Sequence, residues 1–167
     1  FRWASDDLYH PDMKDYVEGN YSADNQLSDK DQNESRLWKY YEGIRKASTF
    51  IQNVDRCSEL TMDEIADMKG QARFLRAYCY WALIRVYGPV PLIPLEGLDV
   101  NLSYEELSLP REHFDNLVDF IDQELAESAR SLPTKRTVNN LGRPTRGAAL
   151  GLRSRVLLYA ASPLFNG

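Results

Sequence analysis

From residue 35 onward the apolar positions recur at helical spacing in four stretches. In the first, Ser35 to Arg56, Leu37, Tyr41, Ile44, Ala47, Ile51 and Val54 stand three and four apart. That spacing puts them on one face of a helix and gives the helix a face to bury. The second opens on Thr61-Met62-Asp63-Glu64. This is a capping-box pattern, in which two side chains satisfy free amide groups of the first turn. Ile65, Met68, Ala72, Leu75, Cys79, Ala82, Leu83 and Val86 then form one stripe, and Phe74, Ala77, Tyr78, Trp81 and Ile84 make a second face apolar. A helix apolar on two faces has to lie between other elements. Gly88 supplies a left-handed cap and Pro89 a stop. Pro89-Val90-Pro91-Leu92-Ile93-Pro94 is predicted to be extended, because each proline disfavours helix in the residue before it.

The third helix is predicted over Pro110 to Ser131, with Pro110 in its first turn and Phe114, Leu117, Val118, Ile121, Leu125 and Ala129 as its stripe. Leu132-Pro133 ends it. The fourth is predicted over Thr145 to Ala161 with Thr145 as N-cap. Its Ala148, Ala149, Gly151, Ser154, Ala160 and Ala161 let a neighbouring helix approach closely. Residues 1–34, rich in Asp, Asn, Ser and Tyr, show no sustained period and read as an irregular segment. The pattern predicts a mainly α fold of TPR-like helical hairpins, of the αα-superhelix type, with long irregular loops. The scaffold spans residues 35–167. The two helix pairs begin about 75 residues apart because residues 89–109 intervene. Plain hairpins in a bundle produce the same pattern.

Composition changes this picture little. The chain has 167 residues, 43% hydrophobic and 27% charged, which is ordinary for one globular domain with a core of its own. A net charge of −5 argues against a nucleic-acid partner, which calls for a basic face. The longest charge-free run, Val156 to Gly167, is too short to span a bilayer. The chain starts on Phe1 and stops after the apolar, turn-rich Ala161-Ser162-Pro163-Leu164-Phe165-Asn166-Gly167, so it is expected to be a piece of a longer protein.

Candidate chemistry is sparse. Cys57 and Cys79 belong to no C-x-x-C pair, so zinc-ribbon and thioredoxin readings fail. Cys79, between two tyrosines in an apolar helix, reads as a small buried hydrophobe, and a Cys57–Cys79 bridge stays open. His10 and His113 are the only histidines, and H-E-x-x-H is absent. His113 stands at a helix start and reads as a surface or capping residue. Neither a G-x-S-x-G elbow nor a phosphate-binding loop occurs. Asp29-Lys30-Asp31-Gln32-Asn33 resembles the start of a calcium loop. Glu34 stands where the glycine should be and Tyr40 where the bidentate Glu should be, so a solvated loop is the better reading. Neither metal nor cofactor is expected.

The second helix carries a more specific pattern. Lys69-Gly70-Gln71-Ala72-Arg73-Phe74-Leu75-Arg76-Ala77-Tyr78-Cys79-Tyr80-Trp81, followed by Arg85-Val86-Tyr87-Gly88-Pro89-Val90-Pro91-Leu92, resembles the signature of the SusD/RagB family. Trp38-x-x-Tyr41-x-Gly43-Ile44-Arg45-Lys46-Ala47 resembles that family's preceding helix. Pro110-Arg111 with Ile121-Asp122-x-x-Leu125-x-x-Ala129-x-x-Leu132-Pro133 resembles the third. Gly142-Arg143-Pro144-Thr145-x-Gly147-Ala148-Ala149 through Leu157-Leu158-Tyr159-Ala160-Ala161 resembles the fourth. The four pieces stand in the family's order. Departures are Gln71 for the usual Glu, Ser48 for a frequent Asn, and Cys79 for a common Tyr.

The resemblance implies a lipid-anchored protein on the extracellular face of the outer membrane. It implies capture of oligosaccharide or another nutrient, delivery to a SusC-like TonB-dependent transporter, and no enzymatic activity. It also implies that part of the ligand site lies before the first helix, where Ser5-Asp6-Asp7 resembles a family string. Trp3, Tyr9 and His10 are the candidate ligand contacts there, and Tyr16 and Tyr21 lie in the same segment. A ring can stack on the apolar face of a sugar while polar neighbours meet its hydroxyls. Packing of Trp3 onto the helices is the bland alternative. Two rival readings are a TPR-like protein or peptide-binding adaptor using Arg73, Arg76 and Arg85, and a glycan hydrolase using Asp99, Glu105 and Glu106.

Overall fold

A computed structural model describes residues 36–98 and 108–166, together with Asn101, Ser103 and Glu105 between them. The chain divides into two compact units, Phe1–Lys39 and Tyr40–Gly167, and the second is described below. Among the described residues five helices follow in order: α1, Arg36–Asn53; α2, Met62–Tyr87; α3, Phe114–Ser131; α4, Arg146–Ala160; and the short α5, Pro163–Asn166. Single 3-10 turns, Val54–Arg56 and Val138–Asn140, extend α1 and interrupt the α3–α4 connection. No strand occurs among the described residues.

Caps set the helix starts. Thr61 accepts from the Glu64 amide while the Glu64 side chain accepts from the Thr61 amide, so the capping box is complete. Thr145 accepts from the Ala148 amide and starts α4. The α3 start differs from expectation. Residues 110–113 are not helical, and Pro110 lies outside α3. The Glu112 amide is engaged instead by the Val90 carbonyl (3.2 Å), which holds this stretch against the chain leaving α2. His113 occupies the N-cap position without a side-chain bond. The Glu112 carboxylate accepts from the His113 amide and from Asn116, and these bonds hold its pKa below the usual carboxylate value. Gly88 ends α2 at φ +65°, as a capping glycine should. Its ψ of −146° is an extended value rather than a left-handed helical one, in a region essentially reserved for glycine.

Helices α1 to α4 run antiparallel, each against the next. Ser48 and Ile51 of α1 lie beside Arg76 and Ala72 of α2. Gly70 and Arg73 of α2 meet Ser128 and Glu124 of α3. Asp122 and Ala129 of α3 meet Arg153 and Ala149 of α4. This is the helical-hairpin layout the periodicity predicts. The core consists of Ile44, Ala77, Tyr80, Leu83, Ile84, Leu117, Ile121, Leu125 and Val156, all essentially inaccessible.

The apolar faces of α2 are not equally used. The Ala77–Tyr80–Trp81–Ile84 side is buried, whereas Leu75, Tyr78 and Val86 are exposed. Tyr78 therefore does not belong to the core with Tyr80 and Trp81. Cys79 is only partly buried, and both cysteines are free thiols. On α4, Ala149 supplies the close approach to Ala129 and Leu132, while Gly151 and Ser154 face away from it and are exposed. No helix among the described residues is long and apolar enough to cross a membrane.

Candidate ligand-binding site and the scaffold that carries it

The residues that make the second helix distinctive converge on α3. Gly70 lies where the helices touch: a Cβ there would come 3.0 Å from the Ser131 Cβ and 3.3 Å from Leu132. Its carbonyl accepts from the buried Ser128 hydroxyl at 2.8 Å. One and two turns on, Arg73 and Arg76 both donate to Glu124 of α3. Arg76 also donates to the Ser48 hydroxyl of α1 (3.3 Å) and lies over the Phe120 ring. The arginine thus ties three helices at one depth. Burying these charges is tolerable because both oxygens of Glu124 accept charge-assisted bonds. Gln71 donates its amide to Asp67 at 3.0 Å, a bond that a glutamate at this position could not donate.

Beyond α2, residues 88–95 form an extended strap whose peptide groups are satisfied from several sides. Arg111 donates to the Tyr87 and Pro89 carbonyls, both at 3.1 Å. The Tyr41 hydroxyl donates to the Pro91 carbonyl at 3.0 Å, and the Ile93 amide donates to the Tyr80 hydroxyl at 2.9 Å. Gln52 donates to the Leu95 carbonyl at 2.7 Å. Prolines at 89, 91 and 94 remove three amide donors, so side chains rather than a neighbouring strand answer the strap. Burial pushes both phenols up, Tyr80 to about 12 and Tyr41 further, so both are neutral hydroxyls in these bonds.

Two further pairs hold α4 and its loop. Arg136 forks onto both oxygens of Asp67 (2.6 and 2.8 Å) and also donates to the Pro144 carbonyl. Arg153 forks onto Asp122 (2.6 and 3.0 Å). At the far end Phe165 of α5 stacks on Phe114, centroids 3.8 Å apart. Tyr159 lies edge-on to Trp81 at 5.1 Å. The apolar Pro163-Leu164-Phe165 stretch therefore closes an aromatic cluster.

The predicted ligand contacts Trp3, Tyr9 and His10 lie outside the described residues, as do Tyr16, Tyr21, the calcium-loop-like string Asp29 to Glu34, and Asp99 and Glu106. No group of three or more metal-ligating side chains occurs among the described residues. The adaptor reading places Arg73, Arg76 and Arg85 in an open groove. The structure instead commits Arg73 and Arg76 to Glu124, and Arg85 lies over the Trp81 ring at 5.3 Å. What sequence reasoning missed is Glu124 as the partner of both motif arginines. The sequence marks it only as one carboxylate beside the Ile121 and Leu125 stripe, in company with Asp119, Asp122 and Glu127.

Comparison with known proteins agrees with the geometry. The SusD-like family described as "Starch-binding associating with outer membrane" matches residues 7–158. The chain belongs to this family. SusD-like protein P25 of Formosa agariphila is 24% identical, over 90% of this chain and 31% of its own length. A crystal structure of a SusD-like protein from Bacteroides fragilis is 31% identical with a TM-score of 0.66, over 74% of this chain and 23% of that one. The surface glycan-binding protein A from Bacteroides uniformis is 26% identical with a TM-score of 0.64, over 74% of this chain and 27% of that one. The chain thus spans less than a third of each of these relatives.

Proposed function

We propose that the complete protein captures oligosaccharide at the outer face of the outer membrane and passes it, chemically unchanged, to a SusC-like TonB-dependent transporter. In this reading a lipid anchor holds it to the membrane, and the described helices serve as scaffold rather than as ligand site. The family match across residues 7–158 carries the proposal. The similarity to a surface glycan-binding protein supports it. So does the spending of the family's signature residues on helix contacts and on the strap, which leaves ligand chemistry to other segments.

Within residues 1–34, Trp3, Tyr9 and His10 are assigned as ligand contacts because rings paired with polar neighbours suit sugars. Affinity electrophoresis through gels containing starch, laminarin or xyloglucan tests the proposal. Retardation by one polysaccharide, with no shortened sugar released, is the expected result. Release of oligosaccharide by the pure protein, or migration unchanged by every polysaccharide, counts against it.

A further inference from the structure

α4 has two apolar faces and buries one. Ala149 and Val156 are inaccessible, Ala149 against Ala129 and Leu132. On the opposite side Gly147, Leu150, Gly151, Ser154, Leu157 and Leu158 lie within about 60° of one line along the helix, at about 100° per residue. All six are exposed. Leu150 and Leu157 are 43% accessible and Leu158 is 72%. The outer face of a surface helix is ordinarily charged or polar. This one holds no charge and a single hydroxyl. A Cβ added at Gly151 would meet nothing within 4 Å, so no described residue covers the middle of the face.

α2 shows what such a helix needs. It too is apolar on two faces, and it lies between α1 and α3. Its close contact with α3 is made by Gly70 against Ser128 and Ser131. Gly147, Gly151 and Ser154 set the same small groups in one row on α4, with leucines beside them. Such a surface admits another helix at short range. Its margins are cationic, because Arg146 and Arg155 flank the face on opposite sides and are exposed. Arg130, Arg136 and Arg153 are paired with Glu127, Asp67 and Asp122, whereas Arg146 and Arg155 pair with no carboxylate among the described residues. From residue 128 onward the sequence has seven arginines and lysines and no acid. An occupant that brings carboxylates to these margins is therefore favoured. A second copy would instead set the same acid-free face against itself.

The order of the stack points to one occupant. α1 to α4 each pack on the next helix in sequence, and the place beyond α4 is open. The Phe165 ring of α5 returns to within 5.2 Å of the Tyr159 ring, which turns the chain at the end of α4. The relatives have residues to fill that place, since this chain spans 31% of the Formosa agariphila protein and 23% of the Bacteroides fragilis one.

We propose that the exposed face of α4 seats a helix from the part of the same polypeptide that follows residue 167. It lies antiparallel on Gly147, Gly151 and Ser154, and its carboxylates meet Arg146 and Arg155. The inference does not depend on the glycan reading.

Photo-cross-linking in the complete protein tests it, with p-benzoylphenylalanine in place of Leu158 and the adduct read by peptide mass spectrometry. The expected adduct joins position 158 to a segment of the same polypeptide beyond residue 167, in a band of monomer mass. Ser154→Cys should react with maleimide about a hundredfold more slowly in the complete protein than in the 167-residue chain, because the contact must open first. Arg155→Glu should lower the melting temperature of the complete protein by several degrees and leave that of the 167-residue chain unchanged, a contrast that general misfolding cannot produce.

An adduct between two copies, to another protein, or to residues 1–35 would overturn the proposal. So would the absence of any adduct, or a Ser154→Cys thiol that reacts equally fast in both proteins.

Discussion

Arg76 of α2 and Glu124 of α3 face each other inside the helical stack, with Arg76 Nε donating to the Glu124 carboxylate at 2.9 Å. Their side chains are only 5% and 7% exposed. Glu124 is held from a second direction by Arg73, which is more accessible. A buried pair of this kind adds little over a well-packed apolar pair, but removing one member strands the other charge. Arg76→Met or Glu124→Leu alone should therefore cost about 3–5 kcal/mol. The double variant should recover much of that loss. Arg73→Ala should cost no more than about 1 kcal/mol, because solvent can take over part of its role. Urea unfolding of the four proteins decides the matter. Losses below about 1 kcal/mol for Arg76→Met and Glu124→Leu would mean that the charges are not the tie described.

Gly70 makes the second contact between the same helices. A methyl group there would meet Ser131 at 3.0 Å and Leu132 at 3.3 Å, so those neighbours would have to give by a few tenths of an ångström. Gly70→Ala should cost about 1–3 kcal/mol through overpacking, although alanine is the better helix former. A Cβ added at Gly151, mid-way along α4, would meet nothing within 4 Å. Gly151→Ala should stabilise the chain by up to about 1 kcal/mol. Thermal melts moving in opposite directions are the expected result, and equal shifts for both variants would refute the close contact at Gly70.

The strap makes stability sensitive to alkali. Burial raises the Tyr80 hydroxyl to about 12 and the Cys79 thiol to about 11, and raises Tyr41 as well. Each group is protonated in the fold and ionises more readily in the unfolded chain. The stability these groups contribute is complete below their ordinary pKa values and is lost as pH climbs through the raised ones. Unfolding free energy should hold steady to about pH 9 and then fall steeply through about pH 10–12. Tyr41→Phe combined with Tyr80→Phe should flatten that fall while lowering stability at neutral pH. A profile whose slope is unchanged in the double variant would remove the phenols as its cause. The same burial predicts slow alkylation of Cys79 at pH 8, where the thiol stays almost wholly protonated.

Sequence signals are legible along the chain wherever they act locally. The Thr61–Glu64 box and the Thr145 cap act within one turn, and each marks its helix start correctly. The one-sided stripe of α3 likewise picks out its buried apolar residues, Leu117, Val118, Ile121, Leu125 and Ala129, though not the buried Glu124 and Ser128. A helix apolar on two sides carries no such direction, so Tyr78 and Tyr80 look alike in sequence and differ in the fold. Pro110 is a misleading start because Arg111 and Glu112 are drawn off to the strap, a contact more than twenty residues away. The partnership of Arg76 with Glu124 spans 48 positions and arises only once α2 and α3 lie antiparallel. The family pattern is readable because its residues are interlocked, and for the same reason it points to the scaffold. Trp3, Tyr9 and His10 fall outside the described residues, so their assignment rests on sequence.

Those three residues yield the prediction closest to function. If their rings and polar atoms contact sugar, replacing one removes a stacking surface and leaves the helical scaffold intact. Aromatic contacts of this kind are worth about 0.5–1.5 kcal/mol beyond the area they bury. Trp3→Ala and Tyr9→Ala should therefore each weaken binding of the retarding polysaccharide by about threefold to tenfold or more. His10→Ala should weaken it less, by about the value of one hydrogen bond. The melting temperature should then stay within a degree or two of the parent, because a side chain spent on sugar contributes no packing to the helices. For Trp3 the alternative is distinct. If its indole packs on the scaffold, Trp3→Ala lowers the melting temperature by several degrees and leaves polysaccharide affinity nearly unchanged. Isothermal titration and calorimetric melting on the same three variants separate the two outcomes residue by residue.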